Sequence, residues 1–367
     1  ARLIHAYLGD NSTISCCEVL HDLIFPAHEQ HHNNSFLTAA LVKGQSNVAA
    51  CATLGSNHNS RANDGELEAG RGFWPGLCVS VKHSCRFASF TLLAKGDYPA
   101  ELDVPTPFSL VSDDTAHDRL RIMPAYWWMY NMYALARNPR KFQARDTRKT
   151  RTQKMEIDPL APDTVEEIFQ ALRLLEIWTA KARLRADGRC PDDLDDEQLA
   201  QLGRELLTCS ENRTAGLEVL GENMECSQRK VVILKTRQAH RAYREMLHYY
   251  AVKNLLDYLD SHHEANLVSM AQVLSGPRQR QWINVGGQLV SASDLEMLLG
   301  RIKSGELDSW DAIHEAYENI WNVYPRAKQK HAFATLLDLL AVKELTPALW
   351  QDALAESARI AEYIREQ

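Results

Sequence analysis

A chain of 367 residues that is 45% hydrophobic and 24% charged can bury a sizeable core and is long enough for about two domains, which excludes disorder throughout. With 41 Lys and Arg against 48 Asp and Glu, the net charge of −7 argues against a nucleic-acid coat. No window reaches the roughly 20 apolar residues of a bilayer span, and ARLIHAYLGD lacks a basic start and apolar run, so the expected location is the cytoplasm with no membrane partner. Eight cysteines without a CxxC pair support neither a disulfide scaffold nor a four-cysteine zinc site.

The first element along the chain is a repeat. Leu8, Ile14 and Leu20 are six residues apart, as are Phe36, Val42, Val48 and Leu54, and again Val81, Phe87 and Leu93. Four positions after an anchor the residue is often small, as at Ser12, Ala40, Ser46, Ala52, Cys85 and Thr91. A period of six is neither the 2.0 of a strand nor the 3.6 of a helix, so the chain turns a corner every six residues and three corners close a triangular coil. Stacked coils of this kind form a parallel β-solenoid. With Leu8-Gly9 and Leu54-Gly55 at its first two positions, the repeat resembles the left-handed β-helix of hexapeptide-repeat proteins. The chain enters this pattern already under way, so residues 1–111 are read as the C-terminal part of such a solenoid.

Two phase breaks interrupt the repeat. PAHEQHHNNS (26–35) lies between Leu20 and Phe36, and SNHNSRANDGELEAGRGFWPG (56–76) lies between Leu54 and Val81. Both are expected to be insertions on one face of the solenoid, where binding sites collect.

Residues 112–160 are expected to form an aromatic cap and a basic connection. AYWWMYNMY (125–133) offers the apolar surface to close a solenoid end, and RNPRKFQARDTRKTRTQK (137–154) carries a local charge of +7, able to grip phosphates or simply to be solvated. Residues 161–367 read as a helical domain. Asp163 with Glu166 looks like a capping box, 228–260 like one long helix, and Trp310, Ile313, Tyr317, Ile320, Trp321 and Tyr324 form a helical stripe. A last helix starts at Thr346-Pro347, and QWINVGGQLV (281–290) reads as a hairpin.

Seven of the 14 histidines lie in the first 110 residues. In hexapeptide acyltransferases a histidine base in the groove between neighbouring solenoids of a trimer deprotonates a sugar hydroxyl or amine as it attacks a thioester. That resemblance implies His58 as the base, with His31 or His32 second, and Asn33, Asn34, Asn57, Asn59, Arg61, Asp64, Glu66 and Arg71 as substrate-binding groups. Acetyl-CoA is the implied donor. The γ-class carbonic anhydrases share this architecture and would draw zinc ligands from His28, His31, His32 and His58, but the spacing along successive coils does not match, so no metal is assigned. The path from the His/Asn-rich insertion through FWPGLCVSVKHSCRF (73–87) into a helical tail resembles a bacterial family labelled UDP-N-acetylglucosamine pyrophosphorylase-related. No glycine-rich phosphate loop is present, so pyrophosphorylase activity itself is not supported in this chain. The expectation is therefore a homotrimeric transferase acting on a nucleotide-linked or phosphorylated sugar; the alternative is a non-enzymatic scaffold or ligand-binding module. Nucleic acid is the weaker partner because aromatics are not interleaved with the basic runs.

Overall fold

The computed structural model describes residues 1–56, 65–209, 211 and 213–367, which fall into two compact units, Ala1–Arg148 with Glu167–Tyr243 and Lys149–Glu166 with Arg244–Gln367. The first opens with a parallel β-solenoid of about six turns. Most strands are only two or three residues long because the chain bends after each, often through a left-handed residue such as His21 (φ 60°), Ala39 (φ 51°) or Phe90 (φ 57°).

Three faces result. The first stacks Arg2–Ile4, Glu18–Leu20, Phe36–Thr38, Thr53–Ser56, Ser80–Lys82 and Asp97–Tyr98; the second stacks Tyr7–Leu8, Leu23–Ile24, Ala40–Val42, Leu67–Ala69, Arg86–Phe87 and Asp103–Val104. The third carries Thr13–Ile14 on Glu29–Gln30, then Trp74–Pro75, Leu92–Leu93 and Leu110–Asp114. The register puts Val19, Leu37, Leu54, Val81 and Tyr98 in one inward column and Ile24, Val42, Ala69, Phe87 and Val104 in another, none more than 4% exposed. Two residues earlier on each strand a smaller group also points in, and Ala40, Ser46, Ala52, Cys85 and Thr91 are all buried.

Two anchors of the six-residue repeat are displaced by one position. Val19 and Leu37 face the prism, while Leu20 and Phe36 are half-exposed, and it is Leu37 that pairs with Leu54. A slip of one residue turns a strand over, so Phe36 sits beside Thr53 instead. With Val19 and Leu37 as anchors, 18 residues separate them, one regular turn, and the expected insertion at 26–35 disappears. Glu29–Gln30 is a strand of the third face. The second expected insertion remains: Leu54 to Val81 spans 27 residues, nine more than a regular turn.

The third face is extended by a hairpin of Leu110–Asp114 with Arg119–Met123, which pairs with Lys230–Ile233, itself antiparallel to Val219–Leu220. The long helix expected over 228–260 therefore begins later, because the β-branched run Val231, Val232 and Ile233 is a strand. Helices α1 (Tyr126–Tyr130), α2 (Met132–Ala144), α3 (Pro162–Ala186), α4 (Asp196–Thr208) and α5 (Thr236–Ser261) follow in chain order. Trp127 of α1 is 1% exposed and packs on Phe90 (6.0 Å between ring centroids) and Trp74 (5.6 Å), while Phe90 stacks on Phe108 at 4.8 Å. The aromatic segment thus covers the flank of the later coils. Gly72 (φ +72°) is needed beneath it, since a Cβ there would lie 2.3 Å from the Phe90 ring.

The second unit contains α6 (Leu267–Leu274), the hairpin Trp282–Val285 with Gln288–Ser291 turning at Gly286 and Gly287, α7 (Ala292–Lys303), α8 (Trp310–Leu340) and α9 (Pro347–Glu366). Thr346 caps α9 as its sequence implies, accepting from Leu349 N. Glu166 lies beyond the first turn of α3, which starts at Pro162, and binds Arg278 and, at 2.9 Å, the buried His331, whose other ring nitrogen meets Tyr250 Oη at 2.9 Å. Glu156, only 7% exposed, accepts from Tyr324 Oη and from Lys328 Nζ at 2.8 Å. The helical stripe enters this core at Tyr324 but starts in water, with Trp310 75% exposed.

Candidate functional site

The nine extra residues fall at one corner in the chain order, between Thr53–Ser56 of the first face and Leu67–Ala69 of the second. His5, His21 and His83 occupy the same corner in other coils, so three of the seven early histidines belong to this edge. The rings of His5 and His21 are 5.1 Å apart and both are exposed; His83 is buried and its Nδ1 lies 3.1 Å from Ser84 Oγ. Where the insertion returns, Gly65 lies so close to Ser84 that an added Cβ would sit 1.8 Å from its hydroxyl oxygen.

Beneath this return lies an open groove of about 600 Å³ on the second face, lined by Leu41, Gly65, Glu66, Leu67, Glu68, Ser84 and Arg86. Its floor is a consequence of the strand period: Leu67 and Phe87 point inward, so Glu68 and Arg86 point out, and the register stacks Leu41, Glu68, Arg86 and Asp103 on successive coils. Charges alternate along the stack. Lys43 donates to Glu68 at 2.6 Å and holds that carboxyl below its ordinary value, whereas partial burial raises Asp103 despite Arg86 beside it. Arg86 is 4.0 Å from Glu68 yet keeps 73% of its side chain in water, which leaves its guanidinium open to a phosphate or carboxylate. Carboxylates, a hydroxyl and a guanidinium along this groove suit a polyol that carries negative charge.

The other expected site residues disperse. Glu66 lines the groove and is exposed. His31, His32, Asn33 and Asn34 are exposed together, with the histidine rings 4.4 Å apart, but they form the corner between the third and first faces and do not share the groove. Arg71 is 1% exposed, its guanidinium 5.9 Å from the Phe90 ring centre, and so is not presented to a ligand. Asn57, His58, Asn59, Arg61 and Asp64 lie outside the described residues. Among the described residues no three His, Cys, Asp or Glu side chains converge as metal ligands. His28 is engaged elsewhere: fully buried, it contacts Ser46 Oγ through Nδ1 (2.7 Å) and Gln30 Oε1 through Nε2 (3.0 Å), and burial pulls its pKa down to about 4 against the smaller pull of Gln30 and Glu29. The basic segment is likewise partly consumed within its own unit, where Lys141 and Arg145 bind Glu29 and Arg148 binds Asp10 at 3.1 Å.

Lys43, Glu68, Ser84, Arg86 and Asp103 were not legible as a site, because they come from four successive coils and only Ser84 and Arg86 are near one another in the sequence. The available signal was the strand period itself: once Val42, Ala69, Phe87 and Val104 point in, the residues before them point out.

No family model matches the chain, and no solved structure matches it. A protein of Treponema pallidum (strain Nichols), described as "Uncharacterized protein", is 46% identical over 347 residues, 92% of this chain and 45% of that protein. The chain thus spans less than half the length of this relative. Among the described residues no helix is long and apolar enough to cross a membrane.

Proposed function

We propose that the solenoid is of the left-handed hexapeptide-repeat kind and serves a transferase of sugar-nucleotide metabolism, with the groove below the insertion as the acceptor site. The observation that carries this reading is a groove lined by Glu66, Glu68, Ser84 and Arg86, whose Glu66 follows the His/Asn-rich stretch directly in the sequence. In the proposed reaction Arg86 holds a phosphate of a nucleotide-linked or phosphorylated sugar and the carboxylates accept from its hydroxyls. His58 takes the proton of the attacking hydroxyl or amine as it adds to the acetyl carbonyl of acetyl-CoA, and the coenzyme leaves as its thiol. The test is release of that thiol in the presence of nucleotide-linked and phosphorylated sugars. Turnover should fall about 10²–10⁴-fold in His58→Ala, and absence of thiol release above background with every acceptor would defeat the reading.

A second reading, an oligomerising scaffold or ligand-binding module, is favoured by a different observation. On the outside of the second face Tyr7, Leu23 and Leu41 stack in register, and Tyr7 and Leu23 are 51% and 45% exposed. Such an apolar ladder suits a second copy of this chain, and a trimer built on it is common to both readings. Sedimentation at three chain masses is the expected result; a strict monomer at micromolar concentration would remove the shared groove.

A further inference from the structure

The corner between the third and first faces carries a feature that plays no part in the groove. Cys78 N donates to Ala50 O at 3.0 Å and Thr53 N to Val79 O at 2.8 Å, with Ser80 paired to Thr53, so Cys51 and Cys78 are directly in register on consecutive coils. Both take the same left-handed conformation, φ 60° and φ 54°, and their side chains therefore leave the corner in the same direction. Both thiols are exposed and free. Neighbouring strands lie about 4.7–4.9 Å apart, inside the roughly 4.4–6.8 Å between Cα atoms that a disulfide spans. The sulfurs also sense one another: desolvation and the adjoining Cys78 thiol hold the Cys51 thiol above its ordinary value. Asn34 holds the same corner one coil earlier, with Cys51 N bonded to Asn33 O, and so separates this pair from Cys16 by a further coil.

We propose that Cys51 and Cys78 form a dithiol site that reacts with low-molecular-weight disulfides to give an intramolecular cross-link. The Cys78 thiolate attacks one sulfur of the small disulfide, forming a mixed disulfide and releasing one small thiolate. Cys51, losing its proton, then attacks Cys78 Sγ and expels the second. Two protein thiols are oxidised to one disulfide, one small disulfide is reduced to two thiols, and the two thiol protons end on the released thiolates. The bond would tie together the two ends of the one coil that carries the insertion. It would thereby couple the redox state of the surroundings to the segment that the proposed function places over the groove, although the cross-link itself does not depend on that function.

The test is incubation of the native protein with about 1 mM each of oxidised and reduced glutathione, alkylation of the remaining thiols and peptide mapping. The cross-linked peptide should exceed glutathione adducts at these two positions by about tenfold or more, because a thiol held in register one coil away acts at an effective concentration of about 10 mM or more, against about 1 mM of the competing small thiol. Cys51→Ser should convert the product to an adduct on Cys78, and Cys78→Ser to an adduct on Cys51. Both replacements are at exposed positions and should leave the fold intact. Separate adducts on Cys51 and Cys78 in the parent protein, or a pair left unreacted while the exposed Cys190 and Cys226 are modified, would overturn the proposal.

Discussion

The second and fifth coils of the solenoid share one backbone path and fill the prism in opposite ways. The fifth puts Val79, Val81, Cys85, Phe87, Thr91 and Leu93 inside, all 4% exposed or less. The second puts Cys17, Val19, Asp22, Ile24, His28 and Gln30 inside, so half its interior is polar, and Asp22 and His28 titrate between about pH 4 and 7. Apolar burial in the fifth coil is indifferent to pH. The second coil instead depends on hydrogen bonds: His28 to Ser46 and Gln30, Gln30 Nε2 to Ser35 Oγ at 3.2 Å, and Ala40 N to Asp22 Oδ1 at 2.8 Å. Burial favours the uncharged form of Asp22 and His28 in this layer, which ties this level of the solenoid to protonation.

The contrast is broken most strongly at Phe87. Phe87→Ala should cost about 3–5 kcal/mol in denaturant unfolding, and Leu37→Ala about 2–5 kcal/mol, with no dependence on pH between 4 and 8.

Protonation sharpens the contrast next. His28 has its pKa lowered by burial to about 4, so the unfolded chain binds more protons between about 4 and 6.5 and stability falls on acidification through that window. Asp22 has its pKa raised by burial to about 7, so the folded chain binds more protons between about 4 and 7 and stability falls as pH rises. Each contribution is about 3–4 kcal/mol, and the two nearly cancel in the parent protein. Asp22→Asn should therefore uncover a loss of stability in acid, and His28→Gln a loss of stability toward neutral pH. Urea titrations at pH 4.5 and 7.5 read both slopes, and equal slopes in the two variants would mean that these groups are not buried as described.

The smallest effect tests the register alone. Phe36→Ala should cost about 1 kcal/mol or less, well below Leu37→Ala, because the Phe36 ring is half-exposed and Leu37 is fully buried.

These same coils explain what was legible in the sequence. Val42, Val48, Leu54, Val81, Phe87 and Leu93 announce the solenoid because each is an apolar residue with an unambiguous six-residue neighbour. At Val19-Leu20 and Phe36-Leu37 two apolar residues adjoin, and period alone cannot say which points in. With the wrong member of each pair chosen, the polar interior of the second coil looked like an insertion, and His28 like a loop histidine. The nine-residue insertion after Leu54 was legible because nine is not a multiple of six. The groove was not, since its side chains meet only after the coils stack, and the strand at Lys230–Ile233 was hidden by helical residues on both sides.

A thermal-shift titration with UDP-N-acetylglucosamine and acetyl-CoA tests the groove most directly. Binding to the native state should raise the melting temperature with concentration, equivalent to about 2.7 kcal/mol at a hundredfold excess over Kd. Arg86→Ala, a replacement at an exposed position, should unfold like the parent protein but lose the shift with the nucleotide sugar. A melting temperature unmoved by either ligand, or a shift of the same size in Arg86→Ala, would contradict the assignment of the groove.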